Sequence, residues 1–76
     1  METTEVLDIT VLTPTEKHST VFQHFDSLHA GEAFYVLNDH DPKPLYYQLV
    51  AEKGKVFDWK YEQQGPVWWK VLVKKK

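Results

Sequence analysis

Twice in the first half of the chain a segment of strand character gives way to a capping side chain followed at once by proline: Thr13-Pro14-Thr15-Glu16 and Asp41-Pro42. A threonine or aspartate accepts from the amides of a first helical turn, and proline suits that turn because its missing N–H would have no partner there. Glu16, three residues after Thr13, completes a capping-box pattern. Two such boundaries impose a strand, helix, strand, helix order on most of the chain.

The rest of the pattern fits around them. Residues 5–12, EVLDITVL, alternate Leu7, Ile9 and Val11 with Asp8 and Thr10, which predicts a strand with one covered face. After Pro14, the residues Val21, Phe22, Phe25 and Leu28 make one helical stripe, with Gly31 placed to close the helix. Residues 33–37, AFYVL, form an unbroken apolar run, predicting a strand inside the sheet and covered on both faces. A second helix is expected from Asp41-Pro42 to Lys53, with Leu45, Tyr46, Leu49 and Val50 inward and Gly54 as its stop. Phe57, Trp59 and Tyr61, then Val67, Trp69, Val71 and Val73, alternate on either side of Gln63-Gln64-Gly65-Pro66, an antiparallel hairpin. The expected fold is β-α-β-α-β-β: a two-layer α/β sandwich of the α+β kind, with two helices on one face of a mixed four-stranded sheet.

Composition narrows the function classes. A chain of 76 residues has room for one domain, here 1–76 with its core at about 6–73, and 11 aromatic rings supply the apolar area such a small core needs. Cysteine is absent, which removes disulfides, thiolate metal ligands and thiol nucleophiles together. No signal-like start and no run of 18 apolar residues occur, so a cytoplasmic protein without membrane association is expected. Residues 1–38 carry six acidic groups against one lysine, and residues 39–76 five against eight lysines. All nine basic residues are lysine, and without arginine specific nucleic-acid recognition is not expected. Lys74-Lys75-Lys76 reads as a solvated end.

Parallel crossovers gather strand ends and helix starts along one edge, which brings His18 and His40 together as the candidate pair. With Asp39 or Asp41 beside them, they offer the imidazole and carboxylate donors that suit first-row metals. The plainer readings are a half-buried His18 bonded to a backbone carbonyl and a capped turn at Asp39, Asp41 and Pro42. His40 has no structural duty in such a turn. His24 and His29 read as surface residues of the first helix, and Trp68, opposite Trp69, as an exposed surface for a partner. A paired-carboxylate hydrolase is disfavoured because Asp39 and Asp41 have local uses, and no glycine-rich phosphate loop is present.

The segments LDITVL, TPTEKH, FQHFDSLHAGE, VLNDHDPKPLYYQ and WKYEQQGPVWW together resemble the bacterial family catalogued as domain of unknown function 2249, over roughly residues 6–73. The resemblance implies a fold like that of the TusA and SirA sulfur carriers. It also implies that His18, the stretch from Asn38 to Leu45, Gln48 and the Gln64-Gly65-Pro66 turn belong to the family pattern, making Asn38 and Gln48 supporting residues of the edge site. Those carriers relay persulfide on a cysteine, which this chain lacks, so that activity is excluded. Family members fused to hemerythrin-like domains imply an iron or redox protein as partner. The reading is a non-enzymatic binding module, with no catalytic residue assigned, holding a metal ion or iron cofactor (Fe, Zn or heme) at His18, His40, Asp39 and Asp41. Its alternatives are an interaction module acting through Trp68 and, third, a small enzyme using His40 as acid or base.

Overall fold

The computed structural model describes residues 5–76. Its elements are β1 (Glu5–Asp8), α1 (Pro14–Asp26), β2 (Ala33–Asn38), α2 (Lys43–Lys53), β3 (Phe57–Gln64) and β4 (Trp69–Lys75), in the expected order. The sheet runs β1-β2-β4-β3, with β1 parallel to β2 and β4 antiparallel to both neighbours. The second crossover therefore passes over β4, and β3 is the far edge strand, interrupted by a bulge at Glu62. Both helices pack on one face: Val21, Phe22 and Phe25 of α1 and Leu45 and Leu49 of α2 share a single core with Phe34, Val36, Phe57, Val71 and Val73.

Local chemistry explains where the elements start. The Thr13 amide donates to Glu16 Oε1 at 3.0 Å and the Glu16 amide donates to Thr13 Oγ1 at 3.2 Å, a complete capping box with Pro14 behind it. Asp41 does not cap α2 formally, since Pro42 occupies that position; its Oδ1 accepts from the Lys43 amide at 3.1 Å. Gly54 ends α2 as expected, donating its N–H to the Val50 carbonyl at 2.9 Å.

Five expectations are corrected. β1 stops at Asp8, because the Asp8 carboxylate accepts from both the amide (2.9 Å) and hydroxyl (2.7 Å) of Thr10 and turns the chain, leaving Val11 89% exposed. Gly31 does not close α1, which ends at Asp26 with Ser27 as cap; Gly31 instead donates to the Lys75 carbonyl at 2.7 Å and leads into β2. β2 is buried on one face only: Phe34, Val36 and Asn38 face the helices, while Ala33, Tyr35 and Leu37 lie half-buried on the helix-free face. His24 is no plain surface residue of α1, since its ring sits edge-on against Phe34 at 4.6 Å, and His29 lies beyond the end of the helix. Lys75 departs from the expected solvated end, since it completes β4, donates from Nζ to the Leu28 carbonyl at 3.0 Å and stands 5.1 Å over the Phe25 ring, whereas Lys74 and Lys76 are exposed.

The turn and the cap also set an acid response. Thr10's hydroxyl and then its amide hold the Asp8 carboxyl below its ordinary value, and Thr13's amide and then its hydroxyl do the same for Glu16. A carboxyl with a lower pKa folded than unfolded stabilises the fold above the unfolded value of about 4, and that contribution is lost as pH falls through the folded value. Thermal melts between neutral and acid pH are expected to show a flatter acid limb in Asp8→Asn and Glu16→Gln. An acid limb as steep as that of the parent chain would contradict the assignment.

Candidate functional site

The loop after β2 and the starts of both helices enclose a cleft of about 200 Å³, walled by Pro14, Pro42 and Pro44 and floored by polar groups. Fixed prolines make the walls rigid, and they leave few backbone donors to face a ligand. The polar lining therefore comes from side chains: Lys17, Asn38, His40, Asp41 and Gln48.

Asn38 is the deepest of these. It closes β2 opposite Trp69 and is 1% exposed, and its Oδ1 accepts from Lys17 Nζ at 3.0 Å. Among the described residues its Nδ2 donates to no acceptor, and the side chain lines the cleft. A buried amide with a free donor at a cleft floor is an arrangement that a ligand oxygen satisfies. Lys17 stands 3.9 Å from Asp39 as well. Donation from His40 Nδ1, at 2.7 Å, and then the Lys17 charge hold the Asp39 carboxyl below its ordinary value, so it is an ionised acceptor.

His18 and His40 lie at the same edge, in adjoining depressions that share Pro14 and Gln48, but each has its own partners. His18 stacks on Phe22 at 4.1 Å, its Nδ1 bonds Gln48 Oε1 at 3.0 Å and its Nε2 meets Glu52 Oε2 at 3.2 Å. Both ring nitrogens are thus engaged. Among the described residues no three His, Asp or Glu side chains gather into a group that could hold a metal ion, and the Lys17 ammonium stands against Asp39. These residues, as arranged, do not fit a resident metal ion, because Asp39 is held by the Lys17 ammonium and His40 while Asp41 is held by the Lys43 amide and the Tyr61 hydroxyl. Asp41 faces the cleft but ties it to β3, accepting from the Tyr61 hydroxyl at 2.7 Å. Burial, together with that bond, pushes the Tyr61 hydroxyl up, so it remains a donor.

Two residues escaped the sequence reading, Lys17 in the cleft and Glu52 beside His18. Lys17 carried a signal, being the one lysine of the acidic first half, next to His18. Glu52 carried another, one helical turn beyond Gln48 on the same face of α2. Trp68 is 43% exposed beside Val67 at 64%, in the turn before β4.

Fold and cleft together define a small two-layer α+β domain with a polar, histidine-flanked cleft where its helices begin. The chain belongs to the family described as uncharacterized conserved protein DUF2249, whose model matches residues 6–75. No curated protein and no solved structure matches it. Among the described residues no helix is long and apolar enough to cross a membrane.

Proposed function

We propose that the chain is a small non-enzymatic binding module of the cytoplasm, and that it binds at the cleft a small molecule presenting a carbonyl or carboxylate oxygen. The observation that carries this reading is the buried Asn38 amide at the cleft, whose Oδ1 takes the Lys17 ammonium while its Nδ2 donates to no described residue. Gln48, its Oε1 engaged by His18, offers a further N–H from the opposite wall. A volume of about 200 Å³ suits a ligand of a few heavy atoms.

Titration with acetate and acetamide, followed on the side-chain amide signals of Asn38 and Gln48, tests it. Saturable shifts at both amides are expected, with affinity for acetate lowered by about tenfold or more in Lys17→Met, which keeps the packed stem and removes the charge. Zn(II) and Fe(II) form the contrasting arm. Joint shifts of His18 and His40 with metal, and none at Asn38 with acetate, would replace this reading with a metal site.

A second reading, an interaction module for an iron or redox protein, draws support from the exposed Val67 and Trp68. It predicts that Trp68→Ser abolishes capture of a hemerythrin-like partner and leaves acetate binding unchanged.

A further inference from the structure

We propose a second binding site in the groove between α2 and β3, for a planar aromatic group bearing negative charge and of mononucleotide size. The groove measures about 420 Å³, within the roughly 300–1,000 Å³ of small-molecule sites. It exists because β3 is the edge strand and α2 covers it only in part. Only Leu45 and Leu49 of α2 are fully buried, and Tyr46 and Val50 are left half-buried above Phe57 and Trp59.

The walls are aromatic and the rim is basic. Tyr46 meets Trp59 at 5.4 Å and Phe57 at 5.9 Å, and Trp59 meets Tyr61 at 6.3 Å, all edge to face. Rings crossed in this way present both faces and edges, the surfaces against which another flat ring packs. Lys43, Lys55 and Lys76 stand around them, and Asp58 is the single acidic side chain of the lining. Asp58 is taken by Lys76 at 3.6 Å, and among the described residues neither Lys43 nor Lys55 has an ionic partner. The side chains of the groove therefore carry an excess of two positive charges over a floor of aromatic rings. Apolar contact alone would admit any hydrophobic ligand; the uncompensated lysines select an anionic one.

The test compares AMP, adenosine and 2-naphthalenesulfonate on the whole chain, following Trp59 indole signals by NMR and tryptophan fluorescence. AMP or naphthalenesulfonate is expected to shift Trp59 saturably and to weaken with added salt, while adenosine binds more weakly. Binding of AMP alone narrows the class to nucleotides, and of naphthalenesulfonate alone to aryl anions. Lys43 and Lys55 are exposed, so Lys43→Gln/Lys55→Gln leaves the fold intact and should lower anion affinity by about tenfold. Adenosine binding as tightly as AMP, anion affinity unchanged in the double variant, or no shift at Trp59 with any probe would overturn the proposal. The Lys17→Met cleft variant should bind these probes unchanged, which separates this result from that of the cleft.

Discussion

Phe25→Ala is expected to leave most of the protein unfolded at about 25 °C. Phe25 is 1% exposed, packs edge-to-face on Phe57 at 5.7 Å and supports Lys75, whose ammonium stands over its ring. Truncating a buried phenylalanine costs about 3–5 kcal/mol, the transfer term plus the cavity left behind. A core of this size rarely supplies more than about 3–5 kcal/mol of net stability, so the loss is comparable with the whole. Urea titration followed by tryptophan fluorescence checks it, with Phe25→Leu as the measurable companion, expected to lose about 1–1.5 kcal/mol and still unfold cooperatively. If Phe25→Ala unfolded cooperatively with under about 1 kcal/mol lost, Phe25 would not be the centre of the core.

The next largest effect is expected at the hairpin turn. Gly65 has φ of 61°, and a Cβ there would sit 3.2 Å from Trp69 Nε1 and 3.3 Å from its ring carbons. Left-handed backbone costs a residue with Cβ about 1–2 kcal/mol, and the indole would also have to move off the strand it packs against. Gly65→Ala should therefore lose about 2 kcal/mol or more, a melting temperature lower by roughly 8–16 °C. A double-mutant cycle with Trp69→Leu isolates the contact, since the backbone strain at Gly65 is common to both backgrounds and only the indole beside the added carbon is removed. An equal Gly65→Ala loss with and without the indole would mean that the Trp69 contact carries no energy. A larger loss with the indole present, accompanied by altered Trp69 near-ultraviolet dichroism, locates the difference in the contact.

The helix starts were legible because their determinants are local. Thr13, Pro14 and Glu16 satisfy one another within four residues, and Gly54 stops α2 through its own backbone. The alternation of Phe57, Trp59 and Tyr61 likewise gave the inward face of β3. Features set by distant partners were not legible. That β4 lies between β2 and β3 depends on long-range pairing, which periodicity does not encode. The half-buried outer face of β2 depends on the absence of a layer beyond it, and an apolar run reads alike in either case. Asp8 misled for the opposite reason, since its local bonds to Thr10 overrode an alternating pattern that would have extended the strand.

At the site, sequence found the edge but not its wiring. His18, Asn38, His40, Asp41 and Gln48 do converge there, because two successive strand-to-helix junctions of parallel strands end side by side. That Glu52 would reach His18 and Lys17 would reach Asn38 depends on the relative placement of α1, α2 and β2. The aromatic groove was hidden for a related reason. Its residues read as core, and only the position of α2 over the sheet shows that they are incompletely covered.

The borders of the sheet bear on how such a domain is used. Among the described residues one margin is a strand of four residues, and the other is broken at Glu62 and carries Lys60, so over these residues neither offers a long flat row of amides and carbonyls to a passing chain. Units with unadhesive margins tolerate crowding. Copies set close together along one polypeptide, or beside unrelated neighbours, keep their sheets separate, and each goes on presenting its own cleft and groove.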